Sequence, residues 1–198
     1  EEKTDNDGKG EETMSKFVTG RDYACIDREI ELLKKEHELD GWIPSATFRA
    51  ERPITLEDGI YIVSRLDGPS AEEARALVDL ALFGETYGID GTCFLDTRGM
   101  KADNSYGGID DEMRGVAKVF EKFGFEFKHD DAEPVVKLGT HPNLAHYWGW
   151  YTGDAAIAPD FRFVRGAVGA HLHSFSAGIL RSKDKTWTGP LVHHGITG

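Results

Sequence analysis

GTCFLDTRGMKADNSYGGIDDEMRGVAKVFEKFGFEFK, residues 91–128, is the stretch that decides the fold. Gly91 to Leu95 is a short apolar run that stops at Asp96-Thr-Arg-Gly99, the pattern of a buried strand meeting a turn. Met100 to Gly108 is polar and rich in glycine, and reads as a loop. Asp110 or Asp111 can cap the helix that follows, because Ile109, Met113, Val116, Ala117, Phe120 and Phe123 recur at helical spacing. Gly124 ends that helix, and Phe125 to Lys128 is the next strand.

The same alternation extends in both directions. Upstream, Gly59 to Leu66 is a β-branched and aromatic run that predicts a strand ending at Asp67-Gly68-Pro69. Ser70-Ala-Glu-Glu73 then matches a capping box. It opens a helix with Ala74, Leu77, Val78, Ala81 and Leu82 on one face and Gly84 or Gly88 at its end. Asp22 to Leu39 carries Tyr23, Ile26, Ile30 and Leu33 at helical spacing, and Trp42 to Pro53 reads as irregular. Downstream, Leu144 to Trp150 and Arg165 to Leu172 are further strands. Alternating strands and helices imply right-handed crossovers and an α/β three-layer sandwich, a mostly parallel sheet flanked by helices.

Composition narrows what such a domain does. With 198 residues, of which 39% are hydrophobic, the chain is long enough to bury one core. Its formal charge of −12 argues against nucleic acid and anionic membranes, because contact with phosphates needs a basic stripe. No apolar run approaches the roughly 20 residues needed to span a bilayer. Glu1 to Lys16 is almost wholly charged and polar, so residues 1–18 are expected to form a flexible acidic tail or linker, with 19–198 a single α/β domain. Cys25 and Cys93 are too few for a disulfide framework, and Cys93 lies in a core strand as an inert buried thiol.

Ligands of open parallel sheets bind beyond the carboxyl ends of the strands, and the reactive side chains of this chain fall there. Arg65 and Asp67 follow the Gly59–Leu66 run, and Asp96 and Arg98 follow the next. Trp148, Trp150 and Tyr151 end the Leu144–Trp150 strand, whose Tyr147-Trp-Gly-Trp-Tyr151 segment offers either a core cluster or an aromatic wall for a sugar, peptide or other small molecule. His171, His173 and Ser174 end the last strand, where Gly166-Ala-Val-Gly-Ala allows neighbouring elements to approach closely. Asp67 and Asp96 suit a general base or a ligand, with the arginines as counter-charges; turn formation and loop salt bridges are their alternatives. His171 and His173, two apart on a strand, would share a face and could hold a divalent metal such as zinc, with an aspartate completing the set. A histidine bonded to the backbone is the other reading. Ser174 lacks a Gly-x-Ser-x-Gly elbow, so it caps the Phe175–Arg181 turn or, with a histidine as base, acts as a nucleophile.

Ile26-Asp-Arg-Glu-Ile-Glu-Leu-Leu33, Ser64-Arg-Leu-Asp-Gly-Pro-Ser70, Tyr147-Trp-Gly-Trp-Tyr151 and Gly166-Ala-Val-Gly-Ala-His-Leu-His-Ser-Phe-Ser-Ala177 resemble successive motifs of an uncharacterised bacterial family found mainly in species with the exosortase protein-sorting system. The resemblance runs from about Tyr23 to Gly198. It implies an exported parent protein, longer at both ends, with additional domains or a protein partner, and it implies no activity. More remotely, an aromatic-Gly strand end followed by a small-residue strand end is similar to gingipain-like and caspase-like cysteine peptidases. Those carry a catalytic histidine after the first strand and a cysteine after the second. Trp150 follows Gly149 here, and Ser174 or Ser176 stands where the cysteine would be, so cysteine-peptidase activity is not implied. Two functions remain: a hydrolase-like or ligand-binding crevice built on Asp67, Asp96, His171, His173 and Ser174, or a non-catalytic envelope component in which these residues form a buried polar network.

Overall fold

The computed structural model describes residues 30–37, 49, 51–53, 55–101 and 106–198. The expected tail at 1–18, residues 22–29 of the expected first helix, and Cys25 lie outside the described residues. The chain divides into two compact units, Glu1–Arg65 and Leu66–Gly198.

In the first unit, Ile30 and Glu31 are helical and the chain then turns at residues 32–34, short of the expected end at Leu39. A 3-10 turn spans Leu56–Asp58, where Arg52 pairs with Asp58. The Arg52 guanidinium and the Thr55 amide hold that carboxyl well below its ordinary range. The strand expected over Gly59–Leu66 is absent: residues 59–68 are irregular. A β-branched run favours extended backbone, but a strand also needs a neighbour to complete its ladder. Tyr61 N instead donates to Glu31 O at 3.0 Å, and Ile62 is 81% exposed.

The second unit holds the α/β fold. Its order is α1 (Ala71–Tyr87), β1 (Thr92–Asp96), α2 (Gly107–Phe123), β2 (Phe127–Asp130), β3 (Leu144–Gly149), β4 (Val168–His171) and a short α3 (Thr188–His193). The four strands form one all-parallel sheet in the order β2-β1-β3-β4. Ser70 caps α1 as its spacing predicts: Glu73 N donates to the hydroxyl at 3.2 Å, and the hydroxyl donates to Glu73 Oε2 at 2.7 Å. Of the expected apolar face of α1, Leu77 is buried, whereas Val78 and Leu82 are exposed. Helix α2 ends at Gly124, whose φ of 73° is the left-handed cap that glycine permits.

Both sheet faces are covered. On one, α2 brings Met113 and Phe120 to the sheet, and the Phe120 ring meets His146 edge-on at 5.6 Å. On the other, Phe94 and Tyr147 pack with Phe161, Phe163, Trp187 and Leu191. A fully buried side chain of this size contributes about 1.5–3 kcal/mol, so this cluster dominates the stability of the unit. Cys93 is buried in β1, and burial pushes its thiol up. Strand β4 starts at Val168 rather than at Arg165 because residues 165–166 turn. Gly166 has φ 85°, and a Cβ there would lie 2.9 Å from the Gly84 Cα of α1. The small residues therefore permit a helix to pass close to a turn.

Candidate functional site

The direction of winding locates the crevice. From β1 the chain crosses to β2 on one side, then returns to β3 on the other, so β1 and β3 flank a topological switch point. At their carboxyl ends stand Asp96-Thr97-Arg98 and Gly149-Trp150-Tyr151, with the end of β4 beside β3.

Asp96 is fully buried beneath this crevice. Tyr147 Oη donates to its Oδ2 at 3.0 Å, and Tyr151 Oη lies 3.1 Å from Oδ1. The Tyr151 hydroxyl also lies 2.8 Å from Thr97 O and 3.1 Å from Ala132 O, three acceptors around one proton. A protonated Asp96 relieves that conflict by donating to Tyr151 Oη, which frees the tyrosine proton for a carbonyl. Burial pushes the Asp96 carboxyl up to about 7 against the pull of the two tyrosines, and the Asp130 carboxylate adds to the rise. Burial and Asp96 raise both tyrosine hydroxyls in turn. Gly149 belongs to the same arrangement, since a Cβ there would lie 2.2 Å from Tyr147 Oη.

Asp110, in the first turn of α2, is the second buried carboxylate and folds back onto the β1–α2 loop. It accepts from Arg98 N at 3.1 Å, Met100 N at 2.5 Å and Trp150 Nε1 at 2.5 Å, with Arg114 at 3.5 Å. Sequence reasoning treats Asp110 as a helix cap and misses this clamp. The local signal, an aspartate beside a helix start, is the same in both cases. Held in this way, the loop lays the Arg98 guanidinium over the Trp150 ring at 4.8 Å and near Tyr151 at 5.8 Å. Arg98 Nε is buried without a hydrogen-bond partner, and no carboxylate among the described residues pairs with the guanidinium.

His171 ends β4 with both ring nitrogens engaged. Tyr151 N donates to Nε2 at 3.0 Å, which places the proton on Nδ1, 2.7 Å from Ser176 Oγ. Ser176 then donates to His173 O at 3.0 Å. The ring stacks on Trp187 at 3.9 Å, and burial, with His173 nearby, pushes its pKa down to about 3. His171 is therefore neutral and bonded to the backbone, the other of the two readings of its sequence. His173 lies past the end of the strand, so the shared-face geometry does not apply. Its Nδ1 accepts from Phe175 N at 3.3 Å. Ser176, one of the two serines at the expected cysteine position, and Trp187, which sequence reasoning did not single out, complete the His171 setting; a lone tryptophan in the polar run Ser182–Thr188 is the one available signal for Trp187.

The remaining expected residues separate. Asp67 pairs with Arg181 and accepts from its neighbour Gly68 N at 2.8 Å, and it stands at no strand end. Arg65 belongs to the first unit. Among the described residues, no group of three or more His, Cys, Asp or Glu side chains is placed to hold a metal ion. What does converge is a cavity of about 730 Å³ lined by Arg98, Tyr106, Trp150, Tyr151, His173 and Ser174. Trp148 lies in a neighbouring groove of about 310 Å³ and donates its indole N–H to His146 Nε2 at 2.8 Å.

Fold and site together define a parallel α/β protein with an aromatic, arginine-bearing crevice at the carboxyl edge of its sheet. No protein-family model, curated protein or solved structure matches the chain. No helix among the described residues is long and apolar enough to cross a membrane.

Proposed function

We propose that this chain is a ligand-binding module whose carboxyl-edge crevice takes a small anionic molecule without forming a covalent intermediate. The observation that carries the reading is the Arg98 guanidinium, spread on Trp150 and Tyr151 at a cavity of about 730 Å³ and free of any carboxylate among the described residues. A planar cation fixed on aromatic faces presents its N–H groups to a carboxylate or phosphate at little ordering cost. The cavity falls within the range of small-molecule sites. Ser174 and His173 supply further polar groups at its wall.

The hydrolase reading has less support. Nucleophilic catalysis needs a hydroxyl bonded to an available base. Ser176 has the histidine contact, but it takes a proton from His171 and passes its own to a carbonyl. A divalent metal on His171 would have to displace Tyr151 N–H or Ser176 from the ring.

Titration of the isotope-labelled protein with benzoate and phenyl phosphate, followed by NMR, tests the proposal. The Arg98 Nε–H and Trp150 indole signals are expected to move together, and Arg98→Gln should weaken binding at least tenfold. Binding that Arg98→Gln leaves unchanged, or no shift with either probe, overturns it. Export of the parent protein rests on the exosortase-associated resemblance; a periplasmic or surface pool on cell fractionation supports it, and a wholly cytosolic one overturns it.

A further inference from the structure

We propose that the anion is the head of an unbranched aliphatic chain, so that the ligand is a free single-chain carboxylate lying across two joined pockets. This rests on the anion-binding reading of Arg98 and adds the class of molecule attached to the anion. The second pocket is the groove of about 310 Å³ between α2 and the β3–β4 half of the sheet. Parallel sheets bury both faces, and on this face α2 packs on β1 and β2. Past Phe120, which reaches His146 of β3, the surface over Trp148 and its register partner Ala170 is left as a groove, with Met113 and Val116 as its helix wall.

Continuity and charge select the occupant. Ile109 and Leu172 line both the groove and the Arg98 cavity, so one molecule can pass from one to the other. The groove offers no cation. Its charged wall residue is Glu112, which repels an anion placed there, and His171, at its end, is neutral with both ring nitrogens in use. A negative head therefore belongs at Arg98 and an uncharged chain in the groove. Leu172, at the junction, is 59% exposed, a large apolar side chain with surface left to cover.

Calorimetric titration of the whole chain with butyrate, hexanoate and octanoate, each below its micellar concentration, tests this. Each added methylene should tighten binding about fourfold until the groove is full. Octylammonium should bind far more weakly than octanoate. In Val116→Trp the dependence on chain length should flatten; Ala170→Leu, a smaller intrusion, should flatten it partly if the tryptophan variant does not fold. Equal affinity for butyrate and octanoate, with both weakened by Arg98→Gln, overturns the chain assignment and leaves the anion site standing. Octylammonium binding as tightly as octanoate, or octanoate binding indifferent to Arg98→Gln, overturns the anion site itself.

Discussion

Asp96 and Asp110 are two buried carboxylates at opposite ends of one loop, and they are satisfied in opposite ways. Asp110 is met by two backbone amides, an indole N–H and Arg114. Asp96 is met chiefly by two tyrosine hydroxyls, each able to accept as well as donate. N–H groups can only donate, whereas hydroxyls can accept as well as donate, so Asp110 serves as a fixed clamp on the loop and Asp96 as a group able to hold a proton. The difference separates a carboxylate that fixes the loop from one whose proton makes stability depend on pH.

Removing the clamp should have the largest effect. Asp110→Ala leaves the N–H groups of Arg98, Met100 and Trp150 unpaired in a buried site. The expected loss is about 3–5 kcal/mol of stability, read from urea unfolding. Asp110→Asn keeps one acceptor oxygen and should recover part of that loss. If Asp110→Ala melts like the parent, the clamp description is wrong.

A smaller effect, and one of different kind, is expected at Asp96. Its folded pKa of about 7 lies above the ordinary carboxylate value of about 3.9, so the folded chain keeps a proton that the unfolded chain has released. The contribution is fully present below about pH 4, declines as pH rises toward 7 and is flat beyond. The total is on the order of 4 kcal/mol. Asp96→Asn should remove this slope, because an amide has no proton to lose, and should compare better with the parent at pH 8 than at pH 5. A variant whose stability difference from the parent is constant over that range would place a permanently ionised carboxylate at Asp96.

The contrast also explains what could be read from the sequence. Strands β1 and β3 were legible because short apolar runs end at turn residues, and the rule of strand ends carried Arg98, Trp150, Tyr151, His173 and Ser174 to one cavity. The Gly59–Leu66 run misled because extended propensity is local, whereas a strand also depends on finding a partner. Asp110 was invisible as a clamp because Trp150 lies forty residues from it in the chain. His171 and His173 were paired by an alternation that holds only inside a strand, and β4 ends at His171.

The smallest effect concerns a third carboxylate, Glu73, which sharpens the comparison because it is only partly buried and faces a histidine. Its Oε1 lies 2.6 Å from His193 Nδ1 and 3.8 Å from Lys183, while Ser70 donates to Oε2. Partial burial works to raise its pKa, but His193, Ser70 and Lys183 outweigh that and hold the carboxyl below its ordinary value. The sign is therefore opposite to that of Asp96: the contribution is present above the ordinary carboxylate value and is lost as pH falls through the lowered one. Glu73→Gln should cost about 0.5–1 kcal/mol near neutral pH, in keeping with a pair at the surface. Thermal melts across pH 2–8 should show differences from the parent of opposite slope, that of Glu73→Gln confined to the acid side of the ordinary carboxylate value and that of Asp96→Asn lying between about pH 4 and 7. Parallel slopes would mean that the setting of the carboxylate, by hydroxyls in one case and by cationic neighbours in the other, does not govern its proton.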